Sequence, residues 1–278
     1  MANPRPSILF LHAHPDDEAI FTGGTIARLT DAGAAVSVVI ATDDGSGPVR
    51  RIEAEAAAAV LKIDRLDFLG YRDSGLGPDL RNDTFAAADR DEAARRVAAI
   101  AAEVDADAIV TYDSGGIYGH PDHLAVHRVG CLAAELAEVK TLYQSTVDRE
   151  HLHFVATHVV GAAVEALMRA TGADRPEGLH PDPLAVEATD PSAGDRFGAR
   201  PRPDGKLAAG MPTVLIDTAV DVDDVLERKR AAMAAHASQI PPDSDVLSLD
   251  PATFAAVYGL EWFLRSGPVT VLDQLANR

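Results

Sequence analysis

The sequence predicts an α/β fold: a Rossmann-like, mostly parallel sheet flanked by helices on both faces. Short apolar runs of strand length alternate with alanine-rich stretches of helical periodicity through the first half of the chain. This alternation is typical of parallel strands that are joined by crossover helices. With 278 residues the chain is also long enough to bury a sizeable core. No internal repeat or linker divides it, so we expect a single domain over 1–278.

The elements of the first half follow one another in a regular order. Strands are predicted at 7–13, 36–41, 66–69 and 108–112. Helices are predicted at 18–32, 50–61, 89–104 and 123–136. In an open parallel sheet the chemistry lies in loops at the carboxyl ends of the strands. Functional residues are therefore expected in those loops.

The second half has a less regular pattern. We expect a helix at 148–170, and then a long irregular loop at 172–211 that is rich in Pro, Gly and Asp and is a candidate lid. A strand is predicted at 213–216, helices at 222–237 and 254–264, and a last edge strand at 269–272.

Charge and cysteine content restrict the partners and the compartment. The formal net charge of -18 repels phosphate backbones and anionic lipid, so we expect neither nucleic acid nor a membrane as partner. The single cysteine, Cys131, cannot form an internal disulfide, which is typical of a reducing compartment. No signal peptide or apolar run of about 20 residues is evident, so we expect a cytoplasmic protein. A strong preference for Arg over Lys indicates a bacterial source.

A first cluster of ionisable residues follows the first strand. His12 and His14 are succeeded, after a proline, by Asp16, Asp17 and Glu18. Three acids at a helix start can serve simply to stabilise the helix terminus. Histidines beside them, in the same loop, form a nitrogen and oxygen donor set that suits zinc.

A second cluster follows the fourth strand. It comprises Tyr118, His120, Asp122 and His123, with His127 one helical turn further on. Two strand ends that each carry His and Asp around a proline predict a shared metal site at this edge of the sheet. Spacing alone allows several sets of three ligands.

The two motifs together resemble a known family. AHPDDE at 13–18 and YGHPDH at 118–123 are similar to the LmbE-like, or PIG-L, family of zinc-dependent de-N-acetylases, which includes the deacetylase and amidase of mycothiol metabolism. The resemblance covers roughly the first 145 residues, and the segment 229–239 also resembles the family's C-terminal region. It implies a metal-dependent hydrolase that removes an acetyl or similar acyl group from an N-acylated amino sugar or its conjugate. One Zn²⁺ per chain is expected, with Fe²⁺ as an alternative ion, and homo-oligomers are common in the family.

The resemblance also implies roles for individual residues. His14, Asp17 and His123 would be the metal ligands. Asp16 would be the general base, and His120 would stabilise negative charge on the reacting carbonyl, best as an imidazolium.

Other positions are predicted to support the site. In the resemblance Tyr118, Arg72 and Asp89 match substrate-contacting positions. Asp122 is expected to orient His120 or a ligand, and Glu18 either acts similarly or favours the helix start. The turn at 42–47 departs from the family pattern, which affects the expected sugar site and leaves the metal site unchanged.

Two other interpretations compete with this one. An amidohydrolase-type barrel could use the His12 and His14 pair, but it needs about eight strand–helix repeats. A catalytically inactive binding module would have no need of an intact base. We expect His12 to be buried and Cys131 to lie in the core. His236 is a weak candidate for the rim of the site. No partner role is expected for four other histidines, His151, His153, His158 and His180.

Overall fold

A computed structural model describes residues 5–43, 48–75, 81–160 and 209–276 of the chain. Seven strands of these ranges form one sheet in the order β3-β2-β1-β4-β5-β7-β6. The strands are β1 Ser7–His12, β2 Ala35–Thr42, β3 Arg65–Tyr71, β4 Ala108–Tyr112, β5 Thr141–Thr146, β6 Thr218–Asp221 and β7 Leu260–Ser266. The five strands β1 to β5 are parallel, while β7 runs antiparallel to both of its neighbours. The predicted fold class is therefore confirmed.

The helices alternate with the strands in the first half and cluster after β6 in the second. Those of the described ranges are α1 Asp17–Phe21, α2 Gly23–Asp31, α3 Val49–Leu61, α4 Arg90–Glu103, α5 Gly116–Gly119, α6 Pro121–Leu136, α7 Arg149–Phe154, α8 Leu226–Ala235, α9 Asp245–Ser248, α10 Pro251–Tyr258 and α11 Val271–Leu275. None of them is long and apolar enough to cross a bilayer.

Apolar side chains are buried on both faces of the sheet. Along β1, Ile8 and Phe10 belong to one core cluster, and Leu9 and Leu11 belong to a second. All four are fully buried, as expected of a central parallel strand covered by helices on both sides. The strand therefore reads as a continuous apolar run rather than as an alternating one.

The strand order places a crevice at the carboxyl end of β1. The chain moves from β1 outward to β2 and β3, then returns to the other side of β1 with β4. The loops after β1 and β4 therefore diverge at a topological switch point, where open α/β sheets bind their ligands. Both ionisable clusters lie in these two loops.

Several predicted elements differ from the structure in the first 160 residues. The helix expected at 18–32 is divided at Thr22 into α1 and α2. Gly23 and Gly24 begin α2, where they pack closely against neighbouring side chains. Strand β5, which had not been predicted, is mostly polar, with the sequence TLYQST. Of the helix expected at 148–170, α7 and a π-helical turn at Val155–Val160 are described, and the remainder lies outside the described residues.

Three predictions near the C-terminus were wrong. Residues 254–264 contain the end of α10 and most of β7, because Gly259 ends the helix. The predicted strand at 213–216 is a 3₁₀ turn that precedes β6. The predicted edge strand at 269–272 leads into α11, which Thr270 starts with a capping box.

Most of the predicted lid at 172–211 lies outside the described residues. Its final residues are described and lie beside the second cluster. The Gly210 amide donates to the Ile117 carbonyl at 2.7 Å, and the Met211 amide donates to the Val147 carbonyl at 2.9 Å. Residues 210 and 211 therefore lie next to the loop that carries His120.

Candidate active site

Three side chains from the two loops converge on one point. Asp17 Oδ2 lies 3.2 Å from His14 Nδ1 and 3.3 Å from His123 Nε2. One donor atom from each residue lies within 4.8 Å of the other two, and all three residues are buried. The structure therefore brings together the three residues predicted as metal ligands.

The chemistry of this donor set fits a divalent cation. Two imidazoles and one carboxylate match a catalytic zinc site with an open position, and no lysine or arginine occupies the space between them among the described contacts. Burial opposes ionisation of Asp17, yet His123 and His14 hold its pKa well below the ordinary range. A carboxylate that is ionised and faces two ring nitrogens is suited to bind a metal.

Asp122 fixes the orientation of His14. Its carboxylate accepts from His14 Nε2 at 3.2 Å and from the amides of Ser74 and Ala86 at 2.8 and 2.9 Å, and it contacts the Ser74 hydroxyl. With His14 Nε2 engaged in this way, Nδ1 is left to face Asp17. A carboxylate behind a ligating histidine is typical of metal sites.

A second acidic and imidazole group shares His14 with the first. Asp73 Oδ1 lies 3.4 Å from His14 Nε2 and 3.7 Å from His120 Nε2. Asp122 is the fourth member of this group, and its oxygens already accept several hydrogen bonds. We therefore interpret the second group as a network of polar contacts beside the predicted ligands.

Asp16 occupies an unusual position beside the ligands. Its backbone has φ of 122° and ψ of -30°, and its side chain is 17% exposed. Burial raises the pKa of Asp16 to about 7, the neighbouring Asp17 adds to the rise, and Arg50 opposes it. The Arg50 guanidinium lies 3.7 Å from Asp16 Oδ2. Asp16 is thus a carboxyl group that can hold and release a proton near neutral pH.

His120 presents one nitrogen to the crevice. The Asp122 amide donates to His120 Nδ1 at 3.1 Å, so the proton of a neutral ring is on Nε2. Burial lowers the pKa of His120 to about 4, and electrostatic interactions with His14 and His123 contribute. In the structure His120 is therefore a neutral hydrogen-bond donor at pH 7, whereas an imidazolium was expected to serve best.

Sequence reasoning underestimated His236. It is fully buried and its Nε2 lies 2.6 Å from Glu18 Oε1, so it is not a rim residue. The other Glu18 oxygen accepts from the Asp16 amide at 3.0 Å. The feature of the sequence that pointed to His236 was the His-Ala-Ser-Gln end of the segment 229–239. Spacing could not pair His236 with Glu18, because the two residues are 218 positions apart.

The predicted substrate contacts lie at different distances from the ligands. Tyr118 is 41% exposed, and its hydroxyl is 3.4 Å from His123 Nε2. Arg72 is exposed and pairs with Asp83 at 3.3 Å. Asp89 caps α4 by accepting from two amides of its first turn. Of the three, Tyr118 is the one with a described contact to a ligand.

His12 is buried, as predicted. It bridges the Tyr112 hydroxyl at 2.9 Å and the Thr22 hydroxyl at 3.0 Å. Burial lowers the pKa of His12 to about 4, although Asp17 and Glu18 act in the opposite direction. His12 is thus a neutral, hydrogen-bonded residue behind the first loop.

The chain matches a family model and has relatives over nearly its full length. The model of PIG-L, described as GlcNAc-PI de-N-acetylase, matches residues 9–134. The 1D-myo-inositol 2-acetamido-2-deoxy-alpha-D-glucopyranoside deacetylase of Nocardioides sp. is 34% identical over 92% of this chain and 90% of its own length. The protein of the same name from Thermobifida fusca is 33% identical over 94% of this chain and 93% of its own length.

Solved structures share the fold at lower sequence identity. N,N'-diacetylchitobiose deacetylase from Pyrococcus horikoshii aligns with a TM-score of 0.53 and 22% identity, covering 98% of this chain and 89% of that one. At this identity the likeness concerns the fold. The open seven-stranded sheet of the described residues excludes the alternative of an eight-stranded barrel.

Proposed function

Since the chain belongs to the PIG-L family of de-N-acetylases, we propose that it is a metal-dependent hydrolase that removes the acetyl group from an N-acetylated amino sugar. The observation that carries the proposal is the convergence of His14, Asp17 and His123 beside the carboxyl group of Asp16. The names of the relatives point to a glucosaminide of inositol as the substrate. The reaction breaks the amide C–N bond and yields acetate and the free amine.

His14, Asp17 and His123 would hold the metal, and zinc is favoured by the donor types, with Fe²⁺ as the alternative. When bound, such a cation supplies Lewis acidity, which lowers the pKa of water and polarises the acyl carbonyl. Asp122 keeps His14 in the ring orientation that this requires.

Asp16 is proposed as the general base and then the general acid. Its carboxylate takes the proton of the water molecule as the oxygen attacks the acyl carbon. The same carboxyl group then delivers that proton to the nitrogen as the C–N bond breaks. Burial raises the pKa of Asp16 to about 7, which suits both the uptake of the proton from water and its delivery to the nitrogen at neutral pH.

His120 is proposed to stabilise the tetrahedral state. Negative charge grows on the acyl oxygen as the carbon becomes tetrahedral, and His120 Nε2–H is a fixed donor because Nδ1 accepts from the Asp122 amide. Asp73 Oδ1 lies 3.7 Å from Nε2, which is beyond hydrogen-bond distance, so the Nε2–H donor is left for the acyl oxygen.

Substrate contacts extend from the same crevice. We propose that Tyr118 lines the acyl site, since its hydroxyl is next to His123. Arg72 is proposed to donate to sugar hydroxyls from its exposed position. Asp89 stays a predicted contact, and its carboxylate would have to give up hydrogen bonds at the start of α4 to reach a sugar.

The proposal extends to the setting of the enzyme. The bacterial origin of the relatives and the single cysteine support a cytoplasmic bacterial enzyme. A homo-oligomer stays a prediction.

The direct test combines metal content with an assay for amine release. Protein purified without added metal is expected to contain about one zinc per chain and to release amine from the inositol glucosaminide, with N-acetylglucosamine as a second substrate. Chelation is expected to abolish turnover, and Asp16→Asn serves as the inactive control. Bound metal without amine release from either substrate would contradict the proposed substrate class, and failure to take up any metal would contradict the hydrolase mechanism.

A further inference from the structure

Building on the proposed function, we propose that Glu18 and His236 form a positioning pair that holds the backbone of the general base Asp16. Neither residue reaches the crevice as a ligand. Glu18 connects the Asp16 amide to an imidazole from the other end of the chain. The pair therefore acts on the reaction through the placement of Asp16.

Asp16 needs such support because of its backbone. A φ of 122° is rare for a residue with a side chain, and such sparsely populated conformations persist only where the surrounding structure imposes them. The following turn secures one side of the residue: its carbonyl accepts from the Ala19 and Ile20 amides at 3.0 Å each. The preceding Pro15 carbonyl accepts from the Arg50 guanidinium at 2.7 Å. The amide of Asp16 is held by the Glu18 carboxylate.

His236 in turn fixes Glu18. The distance of 2.6 Å between His236 Nε2 and Glu18 Oε1 is that of a strong hydrogen bond, and both side chains are at most 1% exposed. The backbone of His236 is itself anchored, since its amide donates to Met233 and its carbonyl accepts from Gln239 and Ile240. The two oxygens of the Glu18 carboxylate thus contact different partners, and rotation of this side chain would break both contacts.

A second buried acid–base pair provides a matched control. Glu261 accepts from the Gly24 and Thr25 amides at 2.8 and 2.7 Å and pairs with Lys229 at 2.7 Å. It resembles Glu18 in burial and in holding backbone amides. The amides that it holds belong to the start of α2 and not to Asp16. Glu261→Gln therefore measures what the loss of a buried carboxylate does to the fold alone.

The test compares Glu18→Gln with Glu18→Ala. The amide oxygen of Gln can still accept from the Asp16 N–H, and its NH₂ can donate to a ring nitrogen of His236. Glu18→Ala removes both contacts. We expect kcat to fall about 10- to 100-fold in Glu18→Ala, with KM within about twofold of the wild-type value, and to recover most of that loss in Glu18→Gln. Metal content should stay at one ion per chain in both variants.

The partner and the control are measured in the same assay. His236→Gln, which keeps a donor for Glu18, should retain more activity than His236→Ala. Glu261→Gln should lower the free energy of unfolding while kcat stays within about twofold of wild type. Equal kcat values for Glu18→Gln and Glu18→Ala, or wild-type kcat in Glu18→Ala, would overturn the positioning role.

A measurement that does not depend on turnover separates this proposal from the proposed function. Hydrogen exchange at the Asp16 amide, followed by NMR, should be slow in wild type and Glu18→Gln and faster by about tenfold or more in Glu18→Ala. Unchanged exchange in Glu18→Ala would overturn the positioning role even if the enzyme is active. If the wild-type protein releases no amine, the proposed function fails, and the exchange rates still decide whether Glu18 holds Asp16.

Discussion

Asp16 and Asp17 are adjacent in the chain, yet their surroundings give them opposite acid–base properties. Burial raises the pKa of Asp16 to about 7, whereas His123 and His14 keep the pKa of Asp17 well below its ordinary range. Pairs of carboxyl groups with divergent pKa values commonly divide two roles between them. Here one group is suited to exchange protons and the other to stay ionised as a ligand.

Removal of the proton acceptor should separate turnover from metal binding. Asp16→Asn is expected to keep bound metal and to lower kcat by about 10²- to 10⁴-fold, because the amide cannot accept the proton of water. Metal analysis and the amine-release assay on the same preparation check this prediction. Wild-type turnover in the variant would remove Asp16 from its proposed role.

The neighbouring substitution should have the converse effect. Asp17→Ala removes the carboxylate that faces both imidazoles, so we expect the affinity for zinc to fall by at least about tenfold. Competition with a chromogenic chelator measures the change, and Asp16→Asn is the control with the ligand set intact. Wild-type zinc affinity in Asp17→Ala would contradict the ligand assignment.

His12 should make the fold sensitive to mild acid. Because burial lowers its pKa from 6.5 to about 4, the unfolded chain binds this proton more readily, and stability falls as the pH decreases from about 6.5 toward 4. At pH 5 the contribution amounts to about 2 kcal/mol. Denaturant unfolding of metal-free protein at pH 7 and pH 5 should show a smaller loss for His12→Gln than for wild type. Equal losses in the two proteins would contradict the prediction.

The sequence predicted those site residues whose partners are close in the chain or belong to one of the two motifs. His14, Asp17 and His123, the set that the family resemblance implied, lie close together. His236 could not be placed in this way, because its partner Glu18 lies in the first loop and only the folded chain brings them together. The neutral state of His120 likewise depends on burial, which no motif reveals.

Among the elements, prediction succeeded where burial and periodicity agree. Strand β4 was predicted with the bounds that the structure has, because five successive buried residues mark a central parallel strand. Strand β5 was missed because its sequence, TLYQST, is mostly polar, although four of its six residues are buried. Strand β7 was taken for a helix because residues 254–264 are apolar on both sides of Gly259, and only antiparallel pairing with β5 and β6 fixes it as a strand.

The turn before α6 should tolerate no side chain at Gly116. Its φ is +62°, and an added Cβ would meet the Cβ of His123 and the Leu124 amide at 2.9 Å each. Gly116→Ala is therefore expected to lower the free energy of unfolding by about 2–4 kcal/mol and to weaken metal binding, since it displaces His123.

Gly33 provides the control for backbone strain. It has φ of +84° with nothing within 4 Å of an added Cβ, so Gly33→Ala should cost only about 1 kcal/mol. Denaturant unfolding of the two variants measures the difference. Equal losses would show that the contact with His123 is unimportant.

Across the whole molecule, the buried carboxylate of Glu261 links the C-terminal part of the chain to the N-terminal part. Lys229 on α8 pairs with Glu261 on β7, and Glu261 holds the first amides of α2. Both side chains are 1% exposed, so either charge alone would be strongly unfavourable. The last strand is thereby linked to the helix that follows the site.

Breaking this pair should weaken the fold as a unit. Lys229→Met leaves the Glu261 carboxylate buried without its cation, so we expect a loss of about 3–5 kcal/mol in the free energy of unfolding. Denaturant unfolding measures it, and Lys229→Met combined with Glu261→Gln should recover part of the loss. A single variant as stable as wild type would show that the pair contributes little.

The hydrogen bond between Glu18 and His236 has a consequence for the order in which the parts of the site form during synthesis. During synthesis the ribosome releases His14, Asp17 and His123 well before His236. The three proposed ligands are thus all synthesised while Glu18 still lacks its imidazole partner. Under the proposed positioning role, the placement of Asp16 would be completed only after the segment that carries His236 has folded against the first loop.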